Sequence, residues 1–412
     1  ASKPAAESRM WMIEGFAGGI QPWWHHIGAY HEDRRMYRTA EPLMKWYEEN
    51  EQYLLNRKPL ATVGIAWSQR NTDYYGRERA AELVDAPYRG FTAAMLRARV
   101  GYVPIHIDNL ERDGAGLKVL VLPNLGVMSD AQCAAVRKFV EGGGSLIATG
   151  TTSLYDDAGL PRADFGLADL FGAHFTGKAG ADRMAAVQTQ HTYLRLSPEL
   201  RAGVWGPKAA GEPPAAGKRH PALKGFEETD IIPFGGVLSA LRLDPGVEVP
   251  LTWIPPFPVY PPETSWMRQP KTDIPGLVLH GRVAFLPADI DRRYGREKLP
   301  DHGDLLGNLV KWAAGDSIPV RLEGSGIFDC SAYTQTGRTV VHLVNLTVTG
   351  RMPIDELVPV GPLRLSVRTS TSGKAKTARL LVGNRTIGVG ARDGWTTAAI
   401  TSVLDHEVVV FE

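Results

Sequence analysis

The chain has 412 residues, of which 43% are hydrophobic and 22% are charged, and its 46 Lys and Arg residues nearly balance 45 Asp and Glu residues. This length predicts two or three domains, and the composition is typical of globular proteins. The balanced charge argues against a nucleic acid or a membrane surface as a partner held by bulk charge, and no run reaches the roughly 18 apolar residues of a membrane span.

The chain has two cysteines, Cys133 in a helical pattern and Cys330 in a strand pattern. Two thiols far apart in the sequence predict neither a disulfide framework nor a metal cluster. The first residue is Ala rather than Met, and we expect no signal peptide from the pattern of the opening residues. We therefore expect that an upstream segment was removed or lies on another chain, and both a cytoplasmic and a periplasmic bacterial location stay open.

The opening residues 1–58 predict a helix, a short strand and a second helix. Residues 5–17 carry apolar side chains near helical spacing and are followed by two glycines. Residues 19–23 favour a strand, and residues 41–55 favour an amphipathic helix with Pro42 in its first turn. Three such elements cannot bury both of their faces, so we expect this segment to be the end of a larger structure.

Between residues 59 and 316, apolar runs of strand length alternate with helical patterns, which is typical of a parallel sheet covered on both faces. The expected strands are 61–67, 102–107, 119–123, 145–149 and 281–287, and the expected helices are 91–99, 129–140 and 302–314. This order predicts a flavodoxin-like α/β domain with right-handed connections. Dense Pro and Gly residues predict a β-rich insertion at about residues 178–275.

The tail, residues 317–412, has short β-like runs separated by Gly, Thr and Asp residues. These runs are 339–345, 363–367, 378–382, 396–400 and 407–411. Because no helical pattern interrupts them, we expect an antiparallel β-sandwich.

One stretch has a composition that neither a helix face nor a strand alternation explains. Residues 18–35, GGIQPWWHHIGAYHEDRR, combine two tryptophans, three histidines, two acids and two arginines. Aromatic rings stack on the apolar faces of sugars, and His, Asp and Arg side chains bind hydroxyl groups. The stretch is therefore interpreted as the wall of a ligand site, with a buried Trp-rich loop as the alternative.

Other binding and catalytic patterns are weak. Gly64 follows a strand, but no phosphate-binding glycine motif follows it, so no cofactor is expected. The adjacent His25 and His26 would point apart on a strand, so no metal site is expected. Cys133 lies inside a predicted helix instead of on the sharp turn that a glutaminase nucleophile needs, so an amidotransferase-like enzyme is a weaker alternative.

A glycosidase needs two carboxyl groups that face each other across the sugar. Glu14 lies near the C-terminal end of a predicted helix, where the dipole disfavours a carboxylate. Glu32 and Asp33 precede two arginines and favour an ion-paired loop, whereas Glu263 follows two prolines in the stiff segment 257–266. No convincing pair emerges, and the catalytic residues stay unassigned.

Taken together, these segments resemble the C-terminal part of glycoside hydrolase family 42-type β-galactosidases and related glycosyl hydrolases. Residues 1–58, with PWWHHIGAYHEDRRMY between two helices, are similar to the last βα unit of their (β/α)8 catalytic barrel. Residues 59–316 resemble their trimerisation domain, an amidotransferase-like α/β domain without the catalytic Cys. Residues 317–412, including VHLVN at 341–345, resemble their C-terminal β domain.

The resemblance implies hydrolysis of O-glycosidic bonds in a β-galactoside-like or related sugar, by two carboxylates upstream of residue 1. It implies a homo-oligomer, a trimer or a dimer. The sugar-binding residues it implies are Trp23, Trp24, His25, His26, His31, Asp33 and Arg34, with Tyr260, Glu263 and Trp266 facing a site in another subunit. The alternative is a non-catalytic carbohydrate-binding or oligomerisation scaffold built from the same parts.

Overall fold

The computed structural model describes residues 3–24, 34–180, 190–197, 220–226, 229–348, 352–368 and 375–412. The chain divides into two compact units. The terminal unit contains Ala1–Ala61, Arg99–Tyr102 and Ile318–Glu412, and the central unit contains Thr62–Ala98 and Val103–Ser317.

The helices and strands are numbered in chain order. The α-helices are α1 (Ala5–Ala17), α2 (Arg35–Glu49), α3 (Glu51–Leu54), α4 (Ala86–Ala98), α5 (Leu110–Asp113), α6 (Asp130–Glu141), α7 (Ala168–Phe171), α8 (Ile290–Glu297) and α9 (Pro300–Ala314). The β-strands are β1 (Lys58–Pro59), β2 (Val63–Trp67), β3 (Tyr102–His106), β4 (Val119–Leu122), β5 (Ser145–Thr149), β6 (Ala173–Gly180), β7 (Gln190–Leu196), β8 (Ile231–Pro233), β9 (Leu238–Leu243), β10 (Glu248–Pro258), β11 (Pro275–His280), β12 (Val283–Leu286), β13 (Val320–Glu323), β14 (Phe328–Gln335), β15 (Arg338–Asn345), β16 (Leu363–Val367), β17 (Thr377–Leu380), β18 (Arg385–Gly388), β19 (Gly390–Arg392), β20 (Trp395–Ile400) and β21 (His406–Phe411).

The central unit is built on one mixed sheet with the strand order β3-β2-β4-β5-β12-β11-β10-β7-β8. Strands β2, β4, β5 and β12 pair in parallel. From β12 to β8 the neighbouring strands pair antiparallel. The predicted parallel sheet is therefore confirmed, and its first five strands follow the order of doubly wound sheets.

The parallel strands are apolar throughout because both faces of the sheet are covered. Every residue of β4, β5 and β12 is buried. On one face, the rings of Phe171 and Phe285 stack with their centroids 4.2 Å apart. The covering helix α6 begins, as predicted, at the capping residue Ser129, whose side chain accepts a hydrogen bond from the backbone N–H of Gln132.

Helices α4 and α8 cross at very short range. A Cβ atom added at Gly90 would lie 1.9 Å from the carbonyl oxygen of Asp291, so only glycine fits at this crossing. Helix α8 was not predicted, because its sequence IDRRYGRE is highly charged. Five of its residues are nevertheless buried, including Asp291 and Arg292.

The terminal unit contains two antiparallel sheets, as predicted for the tail. Their orders are β1-β14-β15-β21-β17-β18 and β13-β16-β20-β19. A shared core packs between them, and its members include Phe328, Leu343, Leu365, Ile400 and Val409.

Helices α1 and α2 cover the other face of the six-stranded sheet. Ile13 and Phe16 of α1 belong to the same buried cluster as Leu43 of α2 and as Val340 and Val408 of the sheet. Strands β15 and β21 are therefore buried on both faces, which explains their runs of consecutive apolar residues. The expectation that the opening helices leave an uncovered apolar face is wrong, because this sheet covers it.

Two further details of the opening segment differ from expectation. Residues 20–24 form no strand, because the backbone turns back on α1: the N–H of Ile20 donates to the carbonyl of Gly15 at 2.9 Å. Helix α2 begins at Arg35, so that Pro42 lies inside it and not in its first turn. The assignment of residues 1–58 to a barrel stays a prediction.

Candidate functional site

The predicted sugar-binding residues of the terminal unit have different environments. The side chain of Trp23 is 73% exposed, whereas Trp24 is half-buried and packs against the cluster that α1 and α2 form with the sheet. Arg34 is exposed just before α2. The remaining predicted residues of this stretch, His25, His26, His31 and Asp33, lie outside the described residues.

The predicted residues of the central unit lie on a surface segment that follows β10. Tyr260 is 79% exposed and Trp266 is 53% exposed, and Glu263 is exposed between them. The guanidinium group of Arg268 lies 3.8 Å from the centre of the Trp266 ring. This segment contributes no residue to the two cavities described next.

Two cavities open where the parallel strands of the central unit end. The switch-point cavity, of about 330 Å³, is lined by Ala66, Trp67, Ser68, Asn71, Thr72, Val84, Asp85, Tyr88, Arg89, Pro123 and Leu125. The strand-end cavity, of about 470 Å³, has walls that include Tyr74, Tyr75, Arg77, Arg79, Asn124, Gly150, Thr151, Tyr155, Arg162, Ser239, Asp289 and Arg292. The carboxyl ends of parallel strands are where α/β sheets bind small molecules.

Asn124 links the ends of two strands between these cavities. Its backbone N–H donates to Thr149 Oγ1 at 2.8 Å, and its Oδ1 accepts from the N–H of Thr151 at 2.9 Å. Its Nδ2 donates to the hydroxyl of Tyr75 at 3.1 Å. Gly150 has a φ of 60°, and a Cβ atom there would lie 2.4 Å from Asn124 Oδ1, so this turn requires glycine.

Buried charges lie beneath this edge of the sheet. Thr149 donates a hydrogen bond to Asp291, and burial raises the pKa of that carboxyl to about 7. Arg292, which is 2% exposed, is ion-paired with both Asp289 and Glu82. These groups hold helix α8 against the strand ends, and most of their charges and hydrogen-bonding atoms are paired with one another.

In the part of the chain that the structure describes, neither cavity has the two facing carboxylates that a glycosidase needs. Among the described residues, Asp85 is the one acidic residue that lines the switch-point cavity, and Asp289 is the one that lines the strand-end cavity. In the terminal unit, burial and the nearby charge of Asp329 raise the pKa of Glu14 to about 8. Glu14 is therefore a largely buried carboxyl group and not a surface one.

A thiol nucleophile is also missing from this edge of the sheet. Cys133 is free and buried in α6, and burial raises the pKa of its thiol to about 11, which keeps it protonated at neutral pH. Among the described residues, no three His, Cys, Asp or Glu side chains lie close enough to hold a metal ion. None of the helices in the described ranges is long and apolar enough to cross a membrane.

The strand-end residues were not singled out from the sequence, although a signal was present. Asn124 follows β4 within two residues, and Thr151 and Asp289 follow β5 and β12 within three residues. Polar residues just after buried parallel strands meet at one edge of the sheet. This pattern therefore indicates the position of the site from the sequence. Helix α8 completes the site, but its charged sequence does not predict a buried helix.

Comparisons with known proteins show what this fold is similar to. No protein-family profile matches the sequence, and no curated protein does. The chain is similar to α-L-fucosidase isoenzyme 2 from Paenibacillus thiaminolyticus, with a TM-score of 0.75 and 15% identity, over 100% of this chain and 58% of that chain.

Two β-galactosidase structures are also similar. The one from Bacillus circulans sp. alkalophilus has a TM-score of 0.63 and 14% identity, over 98% of this chain and 52% of that chain. The one from Rahnella sp. R3 has a TM-score of 0.60 and 13% identity, over 100% of this chain and 52% of that chain. The chain thus spans little more than half the length of these three structures and shares their fold over that part.

Proposed function

We propose that this chain is the supporting part of a glycoside hydrolase that cleaves the O-glycosidic bond of a β-galactoside-like or related sugar. The observation that carries the proposal is the fold similarity, which extends over the whole chain and includes a named fucosidase and two named β-galactosidases. Each of those proteins is much longer than the matched part. The proposal assigns the two catalytic carboxylates to a segment outside residues 1–412.

The chemistry of the described carboxyl groups supports this assignment. Glycoside hydrolysis needs one carboxylate that is ionised and a second that donates a proton, both facing the sugar. Of the residues that the structure describes, one acidic residue lines each of the two cavities of the central unit, Asp85 and Asp289. Glu14 and Asp329 do interact, but burial favours their neutral forms and neither lines one of these cavities.

Within this proposal, the loop between α1 and α2 borders the sugar site. Trp23 is the better of the two tryptophans for stacking on a sugar, because its ring is exposed, while Trp24 packs against apolar side chains. Arg34 and the polar residues His25, His26, His31 and Asp33 are proposed to bind the sugar hydroxyl groups.

The proposal also includes a homo-oligomer, a trimer or a dimer, in which Tyr260, Glu263 and Trp266 face a site in another subunit. Exposed aromatic residues stacked with arginine are typical of interfaces, and Trp266 with Arg268 has this arrangement. The residue types of this segment support an interface role, and its surface position is compatible with one.

The test is hydrolysis by the complete protein. We expect it to release p-nitrophenol from p-nitrophenyl β-D-galactoside or from p-nitrophenyl α-L-fucoside, at a rate that depends on two carboxylates outside residues 1–412. The variant Glu14→Gln should keep kcat within about twofold, because Glu14 has no part in the chemistry. Loss of activity in this variant without loss of folding, or no hydrolysis of either glycoside, would contradict the proposal.

The second candidate is a non-catalytic carbohydrate-binding or oligomerisation scaffold. The observation that favours it is that the described residues form no pair of facing carboxylates in either the switch-point cavity or the strand-end cavity. It predicts that the complete protein binds a sugar and forms an oligomer but turns over no glycoside. Because both candidates predict an oligomer, the activity assay separates them: turnover of a glycoside supports the hydrolase, and sugar binding without turnover supports the scaffold.

A further inference from the structure

The switch-point cavity lies where the winding of the sheet changes direction. Strand β2 lies between β3 and β4 in the sheet. The chain therefore runs from β2 to β3 on one side of β2 and then crosses to β4 on its other side. The segments that follow β2 and β4 therefore diverge and leave a crevice between them. Ser68, which follows β2, and Pro123 and Leu125, which follow β4, line this crevice.

The backbone around the cavity has unusual conformations. Asn71–Gly76 and Ala81–Asp85 are wound as π-helical turns, which are rare and concentrate at functional sites. Asn124 has a φ of 46°, a left-handed conformation that costs energy in a non-glycine residue. Buried Asn71 holds the wall in place: it donates to the carbonyl of Asn124 at 3.3 Å and accepts from the N–H of Val127 at 3.1 Å.

The lining combines aromatic faces with a balanced set of polar groups. Trp67 is 43% exposed, and its ring is fixed edge-on against His106 at 4.6 Å between centroids. Tyr88 is a second, half-buried aromatic wall. One carboxylate, Asp85, and one guanidinium group, Arg89, complete the wall, so that the described lining residues carry no surplus of either charge.

We propose that the switch-point cavity binds a neutral saccharide ring. A lining without net charge gives no preference for phosphate or for a cation, whereas an aromatic face with paired donors and acceptors suits a ring of hydroxyl groups. Trp67 stacks on the apolar face of the ring, and Asp85 and Arg89 bind its hydroxyl groups. The volume, about 330 Å³, is within the usual range of small-molecule sites. This site requires no hydrolytic activity.

The test is calorimetric titration of the 412-residue chain with D-galactose, L-fucose and D-glucose, and with AMP as a charged, planar counter-probe. We expect at least one of the sugars to bind. Trp67→Ala and Asp85→Asn should each weaken that binding about tenfold. Trp11→Ala is the matched control, because Trp11 is an exposed tryptophan, 65% accessible, on helix α1 of the terminal unit. It should bind as the wild type does.

Thermal melting of each variant separates lost binding from lost folding. If Trp67→Ala does not fold, Asp85→Asn decides the question, because it keeps the size of the exposed side chain. No binding of any of the three sugars, binding of AMP alone, or unchanged sugar affinity in folded Asp85→Asn would overturn the proposal. Because the readout is binding and not turnover, its failure is distinguishable from failure of the proposed hydrolase function.

Discussion

Glu14 on helix α1 and Asp329 on strand β14 place two interacting carboxyl groups in the interior of the terminal unit. Burial is the larger cause and the charge of Asp329 the smaller one of the rise in the Glu14 pKa to about 8. Burial also raises the pKa of Asp329, against hydrogen bonds from Ser331 that lower it. The folded protein therefore holds a proton on Glu14 at neutral pH, which the unfolded chain releases.

This pair predicts how stability depends on pH. Because the folded pKa of Glu14 is raised from 4.5 to about 8, its contribution is fully present below pH 4.5 and is lost as pH rises through 8. Glu14→Gln should therefore gain stability relative to the wild type over this window, by on the order of a few kcal/mol. Urea unfolding at several pH values measures the difference. A difference between Glu14→Gln and the wild type that does not change with pH would be the contrary result.

The packing of helix α1 in the core of the terminal unit predicts how substitutions on its two faces change stability. Ile13 is fully buried against the six-stranded sheet, so Ile13→Ala should lower the free energy of unfolding by about 2–5 kcal/mol. Trp11, on the exposed face of the same helix, is the control, and Trp11→Ala should change stability by less than about 0.5 kcal/mol. Equal effects of the two variants would mean that α1 does not pack on this sheet.

The crossing of α4 and α8 predicts a strict requirement for glycine. Gly90→Ala forces a Cβ atom onto the carbonyl of Asp291, so it should destabilise the central unit by about 2 kcal/mol or more. Gly15→Ala is the matched helical control, since no atom lies within 4 Å of its added Cβ. It should stabilise the protein by about 0.5–1 kcal/mol. Thermal melting of both variants shows whether each substitution stabilises or destabilises the protein. A stabilising effect of Gly90→Ala would contradict the observed crossing of α4 and α8.

The two neighbouring tryptophans should respond differently in the complete protein. Trp23→Ala should raise KM about fivefold with little change in melting temperature, because an exposed stacking face is removed. Trp24→Ala should instead lower the free energy of unfolding by about 1–2 kcal/mol, because this ring packs on the core. Steady-state kinetics and thermal melting distinguish these results. An unchanged KM in Trp23→Ala would remove this residue from the sugar site.

Much of the fold was predictable from local patterns. The apolar runs of β2, β4 and β5 and the Ser129 cap of α6 were found because burial on both faces and helix capping leave signals within a few residues. Helix α8 was missed because its buried charges are satisfied by residues such as Glu82, which lies some 200 positions away in the sequence.

The sheet against which the opening helices pack could not be predicted from local sequence patterns either. Nothing within residues 1–58 shows that their apolar faces meet β15 and β21, which begin about 280 and 350 residues after residue 58. For the site, the aromatic and polar residues of the switch-point cavity come from residues 67–72 and 85–89, which the helical turns between them bring together, and the strand order adds Pro123 and Leu125. The sequence showed Trp67 at the end of a strand but not Tyr88 beside the same cavity.

The central claim is that residues 1–412 support a glycosidase site whose catalytic carboxylates lie elsewhere. The most direct measurement compares hydrolysis of p-nitrophenyl β-D-galactoside and p-nitrophenyl α-L-fucoside by residues 1–412 alone and by the complete protein. The account predicts turnover of one of these glycosides by the complete protein and none above the buffer rate by residues 1–412. Turnover by residues 1–412 alone, or no turnover by the complete protein, would contradict it.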